Sequence, residues 1–166
     1  LIEAFGEAVK EHPSWNLCII GNGDQRKNLQ AKITDLGLDQ LVSIQPPVLD
    51  IQNEYMNSSI VALTSSSEGL PLVLLEAQGY GLPCVAFDCD TGPAEIIEDG
   101  KSGFLIAPGD IPEFGRRLSE LMGSLTLRSR FSAAAIRNAE KFSEAVIGQK
   151  WQVLMRGLLQ ESNTGH

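Results

Sequence analysis

Apolar positions along the chain switch repeatedly between helical spacing and short unbroken runs. In LIEAFGEAVKEHP, Leu1, Ile2, Phe5 and Val9 fall on one helical face, and Pro13 stops the helix. NLCIIGNG is a short apolar run ending in glycines, which predicts a buried strand and a tight turn. Asp24 is placed to cap a helix carrying Leu29, Ile33 and Leu36, which Gly37 ends. LVSI is the next strand, DIQNEYMNS a short helix and IVALTS a third strand. Pro71 suits the first turn of a helix that runs to about Tyr80. PCVAF is a strand, GPAEIIED a short helix stopped by Gly100, and GFLI a last strand. Three helices close the chain. Ile111, Phe114, Leu118, Leu121 and Met122 line the first, and Leu127, Phe131, Ile136, Ala139 and Phe142 the second. Ile147, Trp151, Leu154, Met155 and Leu158 stripe the third, and the tail ESNTGH (161–166) is expected to fray.

Short strands that are apolar throughout, alternating with helices, define a parallel sheet covered on both faces. The expectation is a single Rossmann-like α/β domain without linker or internal repeat. Its 166 residues suffice to bury about 70% of the unfolded chain's surface. The net charge of −8 argues against a non-specific grip on nucleic acid or on an anionic membrane. It leaves room for one small anion held by a few local donors. Cys18, Cys84 and Cys89 have no metal-type spacing, and Cys18 and Cys84 read as small hydrophobes in strands, which suits a reduced, cytosolic setting. No apolar run approaches the ~20 residues of a membrane span, and no signal-peptide pattern opens the chain. The sequence begins without Met and in mid-helix, so it is expected to be part of a longer protein.

In such sheets ligands sit beyond the carboxyl ends of the strands. GNGDQ, SSSEGLPL and DCDTGPAE fall there. GNG alone is a common strand-to-helix turn and lacks the third glycine of the dinucleotide fingerprint. SSSEGLPL carries more. Gly69 permits close backbone approach, Pro71 starts the helix, and the amides of Leu72, Val73 and Leu74 are donors at its positive end. Glu76 follows in an almost wholly apolar segment, where even a neutral polar group left unpaired costs on the order of 2–7 kcal/mol. Two partners are open to it: a ligand hydroxyl pair such as a ribose 2′ and 3′, or a distant Lys or Arg. Glu68, in the preceding loop, either accepts from a second set of hydroxyls or only faces the helix dipole. Thr91 and Gly92 either offer amides to an anion or belong to a capped helix carrying Glu95, and Asp110 reads as a helix cap. His12 and His166 have no nucleophile or carboxylate placed for a catalytic triad, and there is no metal cluster or P-loop motif.

Assembled, these residues resemble the carboxyl-terminal half of GT-B-fold retaining glycosyltransferases, the family 4 or glycosyl transferases group 1 type. The resemblance rests on EGLPLVLLEAQGYGLPCVAFDCDTGPAEIIEDGKSGFLI, which carries the E-x7-E signature, G-x-P before the next strand and G-P-x-E-I-I before D-G-x-x-G-x-L. It implies that Glu76 holds the donor's ribose hydroxyls and that Glu68 is the catalytic-site contact to the donor sugar or its leaving group. The backbone of Gly69, Leu70, Pro71, Leu72, Val73 and Leu74 would receive sugar hydroxyls and the diphosphate. Gly21 and Gly23, with Pro47 and Val48 of the QPPV turn, would wall the nucleobase. The family also carries a strand ending in G-R, then K-G, before the helix that here begins LIEAF. That strand, central in a 3-2-1-4-5-6 sheet, is absent from this sequence, as is the acceptor-binding half.

The resemblance further implies transfer of a hexosyl group from a nucleotide-sugar, UDP preferred over GDP, to a glycan or lipid-linked acceptor in bacterial polysaccharide or glycoconjugate synthesis. No metal or other cofactor would be obligatory. The intact protein would be cytoplasmic, peripheral at the membrane. The 166 residues alone are expected to be inactive, and exposed sheet edges are expected to leave them either poorly stable or dimeric. The competing readings are a nucleotide-sugar epimerase of related fold and a non-catalytic nucleotide- or sugar-binding module.

Overall fold

The computed structural model describes residues 1–164, so the expectations for His166 and for the end of the tail lie outside the described residues. Strands and helices alternate as the apolar pattern requires. Five strands, β1 (Leu17–Ile20), β2 (Val42–Gln45), β3 (Val61–Leu63), β4 (Cys84–Phe87) and β5 (Gly103–Ile106), are separated by α2 (Arg26–Asp35), α3 (Ile51–Met56), α4 (Leu72–Gly79) and α5 (Pro93–Ile96). Helix α1 (Ile2–Ala8) precedes them, and α6 (Ile111–Gly123), α7 (Leu125–Glu140) and α8 (Glu144–Thr164) follow. All strand pairs are parallel.

The strands form two sheets rather than one: β1–β2, and β3–β4–β5. Among the described residues no strand joins β1 to β3. A cavity of about 760 Å³ lies there instead, lined by both strands through Cys18, Ile20, Ile60 and Ala62, among others. In β1 the N–H of Leu17 goes to Leu41 and that of Gly21 to Gln45 on the β2 side. Peptide groups alternate in direction along a strand, so those of Cys18 and Ile20 face the cavity. On β3, Val61 gives its N–H to Pro83, and Ala62 therefore faces the cavity from the other side. Burial follows the same logic. Cys84, Val85 and Ala86 of the paired β4 are fully buried, whereas β1 and β3 are only partly so. Cys18, expected inside, is exposed.

One apolar cluster joins α1, α2, α6 and the sheets through Phe5, Ile33, Val85, Phe114 and Leu121. Phe87 meets Phe114, and Phe104 meets Phe131, edge to face at 5.1 Å. A second cluster, with Leu74, Ala77, Cys84, Ala86 and Ile96, seats α4 on the three-stranded sheet. The sequence pattern did not reveal a buried polar network that ties the helices around it. Asn138 of α7 donates to the Gln78 carboxamide oxygen at 2.9 Å and to the Ile96 carbonyl, and Gln78 donates to Ser102 Oγ at 3.1 Å.

Several local expectations change. Asp110 caps α6 by accepting from the Glu113 N–H at 3.0 Å, as its position suggested. Asp24 does not cap α2, which starts after Gln25 without a side-chain cap. Helix α5 stops at Ile96, where the expected run continued to Asp99, because Ile97 is extended and the Glu98 N–H goes to Ser102 Oγ. The stripe on α8 exists but is uncovered: Trp151, Leu154, Met155 and Leu158 are all exposed.

Candidate functional site

Within each sheet, parallel strands put successive turns at one edge: those after β1 and β2 in the two-stranded sheet, and those after β3 and β4 in the three-stranded one. Two of the expected segments meet there directly, since the Gly21 N–H donates to the Gln45 carbonyl at 3.0 Å. That bond sets the GNG turn with Gly21 and Gly23 beside the turn holding Pro47 and Val48. Pro47 is exposed and Val48 half-buried. Arg26, at the start of α2, reaches the same edge by donating from Nη2 to the Ile44 carbonyl at 2.8 Å.

The loop from β3 to α4 carries Glu68, half-buried, and Gly69 and Leu70, both exposed. Its shape is set by the turn after β4. Thr91 Oγ1 donates to the Glu68 carbonyl, and Gly92, at φ +97°, packs against Gly69 and Pro71. A Cβ on Gly92 would stand 2.3 Å from the Gly69 carbonyl oxygen and 2.6 Å from Pro71 Cδ. The Thr91–Gly92 turn is therefore a clasp on the Glu68 loop, and the Thr91 hydroxyl is committed to that loop.

Helix α4 differs from expectation in two ways. The Leu74 N–H is given to the Pro71 carbonyl at 2.9 Å, and its side chain is fully buried, so Leu74 supports the helix and is not a free donor. Leu72 and Val73 remain as first-turn residues whose N–H groups lack intrahelical acceptors. Second, the helix is not buried on most sides. Leu74, Ala77 and Gln78 face the core, while Leu72, Val73 and Glu76 share an exposed face. Glu76 is thus not a stranded buried acid. An unbroken Leu-Val-Leu-Leu run has no periodicity to mark its wet side, which is why spacing suggested otherwise.

No ion pair to Glu76 exists among the described residues. Its partner is Tyr55 of α3, whose hydroxyl donates to Glu76 Oε2 at 2.9 Å. Tyr55 is only 6% exposed, and its ring stacks on Tyr80 with centroids 5.4 Å apart. Burial, and then the bond to the Glu76 carboxylate, pushes the phenol's pKa well above its ordinary value, so the hydroxyl stays a donor across the working pH range. Sequence reasoning placed Tyr55 on a short helix and gave it no role. A three-residue-per-side view of helix faces cannot show that α3 and α4, with a strand between them, set these two side chains together.

His12 lies away from this edge, before β1. Its Nε2 is 3.0 Å from Ser119 Oγ, a nucleophile type not expected beside it. Ser119, however, donates its proton to Glu11 at 3.0 Å. The acid is on the serine and not on the imidazole, so the arrangement is not a triad. Among the described residues no His, Cys, Asp and Glu side chains gather as a metal site, and no helix is long and apolar enough to cross a membrane.

A parallel α/β sheet with an acid-bearing loop and helix at its carboxyl edge has the architecture of the carboxyl-terminal domain of GT-B glycosyltransferases. Residues 1–138 match the family described as "Glycosyl transferases group 1", and the chain belongs to that family. The amylovoran biosynthesis glycosyltransferase AmsD of Erwinia amylovora is 38% identical over 85% of this chain and 40% of its own length. The exopolysaccharide phosphotransferase SCO2592 of Streptomyces coelicolor is 38% identical over 95% of this chain and 17% of its own length. The chain thus spans well under half the length of these curated relatives. A crystal structure of S. aureus TarM, a variant in complex with fondaparinux, alpha-GlcNAc-glycerol and UDP, superimposes with a TM-score of 0.86 at 30% identity. The match covers 92% of this chain and 31% of that one.

Proposed function

We propose that the chain binds the nucleotide-sugar donor for a retaining hexosyl transfer to a glycan or lipid-linked acceptor in polysaccharide or glycoconjugate synthesis. The observation that carries the reading is the exposed Glu76 carboxylate on α4, held through Oε2 by Tyr55 with Oε1 left to accept. In this reading Glu76 receives the ribose hydroxyls, and Glu68 contacts the donor sugar or its leaving group. The backbone from Gly69 to Val73 takes sugar hydroxyls and diphosphate, helped by the positive end of α4. Gly21, Gly23, Pro47 and Val48 wall the base. UDP is preferred over GDP, a choice supported by the UDP present in the TarM complex.

Stabilising charge on the departing diphosphate is the electrostatic work this edge offers, and no metal is required for it. The Arg26 guanidinium is engaged by the Ile44 carbonyl, and the loop from Glu68 to Val73 carries no Lys or Arg, so the 166 residues alone should bind donor weakly and transfer nothing. Open strand edges beside the cavity would let two copies associate. In the intact protein, contact with a lipid-linked acceptor would be peripheral. An epimerase would need Glu68 or Glu76 as acid/base groups, whereas this reading uses them to hold the donor. The phosphotransferase name of the S. coelicolor relative describes a protein most of which has no counterpart here.

Calorimetric titration of the full-length protein with UDP- and GDP-sugars tests the reading. Replacing Glu76→Ala removes hydrogen bonds to a charged group, each worth about 1.5–3 kcal/mol, so losing two should weaken donor binding by at least roughly a hundredfold. Unchanged affinity in that variant would remove the ribose assignment.

A further inference from the structure

We infer that Tyr55 is a positioning residue that presets Glu76 and thereby sets discrimination between ribose and 2′-deoxyribose donors. The inference rests on the reading of Glu76 above. Glutamate on an exposed helix face has three rotatable bonds, and ordering them on binding costs conformational entropy. Here the cost is met before any ligand arrives. The Tyr55 hydroxyl fixes Oε2 at 2.9 Å, and the phenol is itself immobile, buried and stacked on Tyr80. Helix α3 is itself capped, with Asp50 accepting from the Asn53 N–H at 3.3 Å.

The geometry also divides the carboxylate's work. Four lone-pair sites are available on an ionised carboxylate, and Tyr55 occupies one on Oε2. Glu76 is exposed, so the remaining sites are open to a ligand, and two vicinal hydroxyls can donate to them at once. A ligand lacking one of those hydroxyls loses a bond that only a correctly oriented carboxylate makes. Tyr55 therefore acts on the hydroxyl-dependent part of the affinity and not on the rest.

The test is the dissociation constant of the full-length protein for UDP and for 2′-deoxy-UDP, measured for the parent, Tyr55→Phe and Glu76→Gln. Phenylalanine keeps the ring stacked on Tyr80, and the melting temperature checks that the fold is retained. The parent should prefer UDP about tenfold or more, the worth of one bond to a charged group. Tyr55→Phe should bring that preference below about threefold, with 2′-deoxy-UDP bound as before, and Glu76→Gln should behave likewise. If Tyr55→Phe weakens both ligands equally, or leaves the preference intact, Tyr55 is structural only and the inference fails while the ribose reading stands. If the parent itself does not distinguish the two ligands, the ribose reading fails and this inference with it.

Discussion

Gln78, Ser102 and Asn138 are polar, buried and joined in one chain of hydrogen bonds between α4, the turn before β5 and α7. Every buried side-chain nitrogen and oxygen among the described residues has a partner. The network therefore has no slack. Asn138→Ala would leave the Gln78 carboxamide oxygen and the Ile96 carbonyl without their donor, and unpaired buried groups cost about 1–3 kcal/mol each. We expect a loss of about 2–4 kcal/mol in urea-induced unfolding; a change under about 0.5 kcal/mol, the range of ordinary surface substitutions, would show that water or a rotamer change replaces the amide. None of this was visible in the sequence, since Gln78 and Asn138 look like ordinary polar positions on helices. Glu68 and Glu76 were visible, as an acid pair at a fixed spacing. What the spacing could not tell was which side of α4 is wet: Glu76 is exposed, so burial does not account for its place there.

Among elements, the contact with most consequence joins two loops that are more than twenty residues apart. Gly92 fits against Gly69 because it has no Cβ and because glycine adopts φ +97° without penalty. Gly92→Ala meets both obstacles. At φ +97° and ψ −62° the backbone term alone is about 1–3 kcal/mol, and the Cβ cannot coexist with the Gly69 carbonyl oxygen at 2.3 Å. The Glu68 loop must then move. Donor affinity of the full-length protein should fall at least tenfold in Gly92→Ala, with a lowered melting temperature; donor binding at the parent's level would mean that the loop's position does not matter to the site. Element order and type were legible from apolar period, because a parallel sheet makes unbroken strand runs and its covering helices make stripes. Ends were not. Helix α5 closes where Ile97 turns extended and Ser102, four residues on from Glu98, captures the Glu98 N–H, a side-chain bond that apolar period does not register. The stripe on α8 is a true helical period, yet a stripe records only that something is to be covered and not by what.

At the scale of the molecule, the divided sheet decides which backbone groups are protected. Strands β1 and β3 each turn unpaired peptide groups toward a cavity of about 760 Å³, whereas β4 is paired on both sides. Amide exchange reads this difference directly, because a hydrogen-bonded ladder between buried faces opens only with large-scale unfolding. In the 166-residue chain at low concentration, the amides of Cys18, Ile20 and Ala62 should exchange at least about a hundredfold faster than that of Val85. Raising the concentration separates two causes of protection. If copies associate through the open edges, exchange at Cys18, Ile20 and Ala62 slows as concentration rises, and sedimentation shows the larger species. If these amides are slow even when dilute, the edges are already closed within one chain, and neither the divided sheet nor association through it describes the protein in solution.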